Sequence, residues 1–148
     1  MVMKTLPKLD IPAIEKKWQA EWQKSGTYLF DRTDQKTPTY SIDTPPPYPS
    51  GEFHVGTVLN WTYIDIVARY KRMQGFNVHF PQGWDCHGLP VEVEVEKRNK
   101  IKKTDIPPDQ FRQLCEQLVN ENIKGMKDAM IRLGFSMDWT TEFKTMDP

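Results

Sequence analysis

Three consecutive prolines, Pro45, Pro46 and Pro47, divide this chain at the point that most limits how it can fold. Proline has no N–H to give to a sheet ladder, so a strand entering this run must end there. The segment before it, PTYSIDT at 38–44, alternates Tyr40 and Ile42 with Ser41 and Asp43 and predicts a strand. After it, PYPSGE predicts a turn, and HVGTVLNWTYIDIVARYKRMQG at 54–75 predicts a helix. Val58, Trp61, Tyr63, Ile64, Val67, Ala68 and Tyr70 fit a largely buried helix, and Gly75 suits its C-terminal stop. FNVHFP at 76–81 predicts a second strand. Paired in parallel, strand, tight loop, helix and strand make a right-handed βαβ unit, about half of a doubly wound nucleotide-binding fold. The expected class is therefore α/β, the first half of a Rossmann-like parallel nucleotide-binding domain with flanking helices.

The flanks read more plainly. Asp10 is suited to an N-cap, Pro12 falls in a first turn where its missing N–H costs nothing, and Ile14, Trp18 and Trp22 recur every fourth residue before Gly26. That helix is expected to pack and to do no chemistry. EVEVEKRNKIKKTD at 92–105 is a charged stretch, and 107–135 predicts a helix with Phe111, Leu114, Leu118, Met126, Met130 and Leu133 as its apolar positions. Gly125 is a candidate break in that helix and Gly134 its cap. The tail, SMDWTTEFKTMDP, has turn chemistry. Residues 1–37 are expected to form a helical extension and 38–148 a partial catalytic domain. Two parallel strands alone make a poor sheet, so a second half is expected elsewhere.

Composition narrows the class. At 148 residues, 38% apolar and 27% charged, the chain reads as one soluble globular domain. A formal net charge of zero excludes a global electrostatic footprint for nucleic acid. The basic run Lys97, Arg98, Lys100, Lys102 and Lys103 could touch phosphates, or could be a solvated surface offset by Glu92, Glu94 and Glu96. Cys86 and Cys115 are the two cysteines, which suggests a reducing compartment and no disulfide framework. No apolar leader and no membrane-length run is present, so a cytoplasmic location is expected.

In an open α/β sheet, ligands sit beyond the carboxyl ends of the strands. The loops there are PPPYPSGEFHVGT at 45–57 and PQGWDCHGLP at 81–90. A helix starting near Phe53 or His54 offers N–H groups with partial positive charge, a natural phosphate site. Gly51 and Gly56 carry no Cβ, so backbone there can approach a nucleotide closely. His54 could add a donor, or could be a helix cap or surface residue. No P-loop is present. Asp85, at a strand end, could hold a substrate ammonium, or could serve an Asx turn or helix cap. Adjacent Cys86 and His87 lack a second pair at ligand spacing, so no metal site is expected. Their adjacency also gives poor geometry for a His-activated Cys nucleophile.

Together PPPYPSGEFHVGT and GWDCHGLPVE resemble the first signature and the next loop of class I aminoacyl-tRNA synthetases of the valine/isoleucine/leucine group. LGFSMDW at 133–139 and TMDP at 145–148 also resemble segments downstream of that loop in the group. The run from Tyr48 to Pro90 is most similar to the archaeal valine-activating type, with the isoleucine-activating type next. The resemblance implies ATP-dependent activation of the amino acid and transfer to tRNA, with Mg2+ accompanying ATP. It implies that His54 and Gly56 contact ATP, with His54 stabilising the α-phosphate. Pro46 and Pro47 would line the amino-acid pocket, Asp85 would bind the α-amino group, and Trp84, His87 and Gly88 would support that loop. Valine, ATP and tRNA would be the partners of the complete enzyme. The signature departs from His-x-Gly-His at Thr57, which can offer a neutral hydrogen bond but never a cation. The second ATP loop of the Lys-Met-Ser-Lys-Ser type, the editing insertion and the anticodon-binding helices are missing from these residues, and this chain is expected to need the missing C-terminal portion.

Overall fold

A computed structural model describes residues 8–49 and 53–148. The elements run α1 (Ile11–Ser25), β1 (Thr39–Ser41), α2 (Val55–Met73), β2 (Asn77–His79), β3 (Gly83–Trp84), α3 (Leu89–Asn99), α4 (Pro108–Arg132), a 3-10 turn (Trp139–Thr141) and β4 (Phe143–Lys144). The strand–loop–helix–strand order is the one the prolines impose. β1 and β2 pair in parallel with Tyr40 opposite Val78, and α2 crosses between them. One more hydrogen bond, from Ile42 N–H to the His79 carbonyl at 2.9 Å, extends the ladder before Pro45 ends it.

α1 begins where Asp10 accepts from the Ala13 N–H and stops at Gly26, whose φ of 62° closes the last turn. α4 runs unbroken through Gly125, where an added Cβ would meet nothing within 4 Å. A single glycine costs a helix about 1 kcal/mol, too little to interrupt one held by its neighbours. Phe111, Leu118, Met126 and Met130 are buried as their spacing predicts, Leu114 is half-buried, and Leu133 is exposed at the C-cap. Gly134, with φ of 77°, follows as the stop.

The structure corrects three readings. α2 is not largely buried: only Trp61, Asp65 and Ala68 are, while Tyr63, Val67 and Tyr70 are 62%, 42% and 55% exposed. Apolar residues ring this helix, but the described residues pack against one side of it. The charged stretch at 92–105 is largely helix α3, in which Val91 and Val95 are buried and Val93 faces out. Their two-residue alternation hides an i, i+4 pair. The tail is not only turns. β4 pairs in parallel with β3, Gly83 opposite Phe143, making a second two-stranded sheet.

A polar joint fastens α2 to the segment after α4. The buried Asp65 carboxylate accepts from the Ser136 N–H and hydroxyl, both at 2.6 Å, and from Arg69 Nε at 2.7 Å. Arg72 closes the joint onto the Ser136 hydroxyl and carbonyl at 2.7 and 2.8 Å, and burial holds its guanidinium below the ordinary value. Two residues on, buried Asp138 accepts from the N–H groups of Phe30 and Thr140 at 3.0 and 2.9 Å. The Asp138 N–H donates to the Phe80 carbonyl at 2.9 Å. Buried carboxylates persist where their oxygens are satisfied this way.

Candidate active site

His54 is the N-cap of α2. Its Nδ1 accepts from the N–H groups of Gly56 at 3.1 Å and Thr57 at 3.3 Å, two of the donors that a helix start leaves unpartnered. Thr57 Oγ1 lies 3.2 Å from His54 Nε2. Because Nδ1 accepts, Nε2 carries the proton and donates it to the Thr57 hydroxyl. The Thr57 hydroxyl is therefore engaged with the His54 ring. Gly51 lies outside the described residues.

A cleft of ≈ 430 Å³ runs between this helix start and the prolines. Pro46, Pro47, His54, Gly56 and Thr57 line it, joined by Tyr48, Asn60 and Trp61, which the sequence did not mark as site residues. Pro46 and Pro47 are half-buried. Asn122 Nδ2 donates to the buried Pro49 carbonyl at 2.8 Å and fixes the end of the proline segment to α4. Trp61 Nε1 donates to Gln82 Oε1 at 3.1 Å, linking α2 to the start of the second loop.

The second loop meets the first through one main-chain bond, Asp85 N–H to the Pro47 carbonyl at 3.0 Å. Asp85 is half-buried and does not cap α3, whose N-cap is Gly88. Trp84 is fully buried and its Nε1 donates to Glu142 Oε1 at 2.8 Å. Gly88 has φ of 133°, open essentially to glycine alone, and a Cβ there would sit 3.5 Å from Tyr48. His87 is exposed. The N–H of buried Cys86 donates to the Thr145 hydroxyl oxygen at 2.8 Å, and burial pushes the Cys86 thiol above the ordinary value. A neutral thiol is a poor nucleophile. Among the described residues no three His, Cys, Asp or Glu side chains gather closely enough to hold a metal.

The basic run is interleaved with acids. Lys103 pairs with Glu92 at 3.0 Å and Arg98 with Glu94 at 3.1 Å, all at the surface. No helix among the described residues is long and apolar enough to cross a membrane.

Residues 17–148 match the family model of class I tRNA synthetases (I, L, M and V). The valine–tRNA ligase of Methanothermobacter thermautotrophicus is 59% identical over 134 residues, which are 90% of this chain and 15% of that protein. That of Archaeoglobus fulgidus is 55% identical over 139 residues, 94% of this chain and 16% of that protein. The chain thus spans about one-sixth of the length of these relatives. In solved structures, the Agrobacterium radiobacter LeuRS–tRNA–LeuAMS ternary complex matches with a TM-score of 0.79 at 26% identity, over 95% of this chain and 16% of that one.

Proposed function

The chain belongs to the class I tRNA synthetases of the I, L, M and V group, and from that we propose that it carries the first part of the catalytic site of a valine–tRNA ligase. The activity of the whole would be condensation of valine with ATP to valyl-adenylate, then transfer of the valyl group to tRNA. The observation that carries this reading is one cleft shared by the proline wall and the helix start at His54, Gly56 and Thr57. The identity of the amino acid rests on the valine–tRNA ligases matched at 55–59%.

The roles come from chemistry. A valine carboxylate oxygen attacks the α-phosphorus, and the bond from that phosphorus to the bridging oxygen breaks to release pyrophosphate. The N-terminus of α2, with His54, Gly51, Gly56 and Thr57, would bind ATP, delivered with Mg2+, and stabilise charge on the transferring group. Asp85 would take the valine ammonium, and Pro46 and Pro47 would be the wall against which the substrate lies. Little covalent work falls to the protein, so positioning and electrostatics dominate. An apolar pocket discriminates weakly against an isostere that bears a hydroxyl, so threonine would also be activated.

The test is ATP binding by the chain and its loss in His54→Ala. Equal binding by parent and variant, or none by either, overturns the nucleotide site. With the remainder of the enzyme supplied, ATP–pyrophosphate exchange should be fastest with valine. Faster exchange with isoleucine would move the assignment to the isoleucine enzyme. The exposed apolar side of α2 supports a second reading, a non-catalytic module that folds against a complementary chain. A compact monomer in sedimentation counts against it.

A further inference from the structure

Two N–H groups at the start of α2 that would meet a phosphate, those of Gly56 and Thr57, and the Thr57 hydroxyl are engaged by the chain itself. The N–H groups of Gly56 and Thr57 point to His54 Nδ1, and the Thr57 hydroxyl meets His54 Nε2. The space left by the missing side chain of Gly56 is also taken: a Cβ there would lie 3.1 Å from His54 Cε1 and 3.2 Å from Nδ1. The imidazole thus lies across the helix start, held at both nitrogens. These bonds are at the surface and span only two or three residues, so each is weak on its own.

We propose that Thr57 is a positioning residue that acts through His54: its hydroxyl latches the imidazole over the end of α2, so the ring holds the phosphate place until a nucleotide displaces it. This rests on the reading of the helix start as an ATP site. One N–H cannot serve Nδ1 and a phosphate oxygen fully at once, so the cap and the nucleotide exclude each other. On displacement, the Gly56 and Thr57 donors pass to the phosphate, and the freed ring becomes available to the same anion. The cap at Nδ1 sets the tautomer, leaving Nε2–H as the ring's donor to the latch. Threonine at 57 suits this better than a second histidine would, because a hydroxyl accepts from Nε2–H without adding a charge beside the ring.

The experiment is long-range proton–nitrogen NMR of the His54 ring in the full chain, with His54→Gln assigning the signals among the three histidines. The parent should show two well-separated ring nitrogens, bare Nδ1 and protonated Nε2. In Thr57→Val, which keeps the shape and removes the hydroxyl, they should move toward each other as the unlatched ring leaves the cap and its tautomers mix. Thr57→Ser should restore the parent pattern. Adding ATP to the parent should shift Nδ1 away from its capped position. Unchanged His54 nitrogens in Thr57→Val overturn the latch, as does an ATP-bound chain that keeps the capped signature. If calorimetry finds no ATP binding by the parent, the nucleotide reading fails, while the valine and serine variants still decide whether Thr57 positions the ring.

Discussion

The two ends of the site are built in opposite ways. The helix start closes on itself: the His54 side chain bonds to Gly56 and Thr57, at the surface. The proline segment and the second loop are nailed down from far along the chain, with Pro49 bonded to Asn122, Trp84 to Glu142 and Cys86 to Thr145, 73, 58 and 59 residues away. Weak local bonds can be traded for a ligand at little net cost, whereas buried long-range ones cannot be broken without leaving polar groups unsatisfied. The wall and the carboxylate proposed for a small substrate thus stand on the fixed half, and the proposed phosphate end stands on the exchangeable half.

Substitutions can break this contrast, and the largest effect belongs to the fixed loop. Trp84→Ala removes a fully buried indole and its hydrogen bond to Glu142 Oε1. It is expected to cost about 3–5 kcal/mol in urea unfolding, enough to leave little folded chain. Gly88→Ala forces a side chain into a conformation that only glycine tolerates. About 1–3 kcal/mol should be lost by the same measurement. Should either variant unfold like the parent, the second loop is not anchored as described. Asn122→Ala, which frees the Pro49 carbonyl, should cost about 1 kcal/mol and loosen the proline wall. His54→Ala sharpens the comparison from the other side. Stability should fall by only about 1 kcal/mol, the worth of a cap, while calorimetric ATP binding falls at least tenfold. A large stability loss there would make His54 a structural residue first.

Elements whose signal is local were readable from the residues. Asp10 and Gly26 bound α1, and the prolines mark the end of β1, because caps and ring constraints act within a few residues. Readings failed where the deciding partner is distant. Periodicity showed that α2 is apolar on several sides but not which side would find a neighbour. β3 and β4, two residues each, carry no period and exist only because the chain brings them together. For the candidate site, the residue types were apparent and the connections were not. Asp85 joins the proline wall through its main chain, Asn122 and Gln82 hold the wall and Trp61 in place, and none of the three has a pattern that announces this.

The order of residues alone therefore settles where the chain can bend and stop, the parallel pair around a crossing helix, and which chemically able groups stand near the strand ends. Steric and capping effects operate over a turn or less, so a short stretch contains its own answer. Which side of α2 is covered, that a second pair of strands forms, and that His54 lies across its own helix with Thr57 beneath Nε2 were decided by the folded chain. Those outcomes depend on which surfaces meet and which donors are already satisfied, and both are properties of the whole packing rather than of any segment.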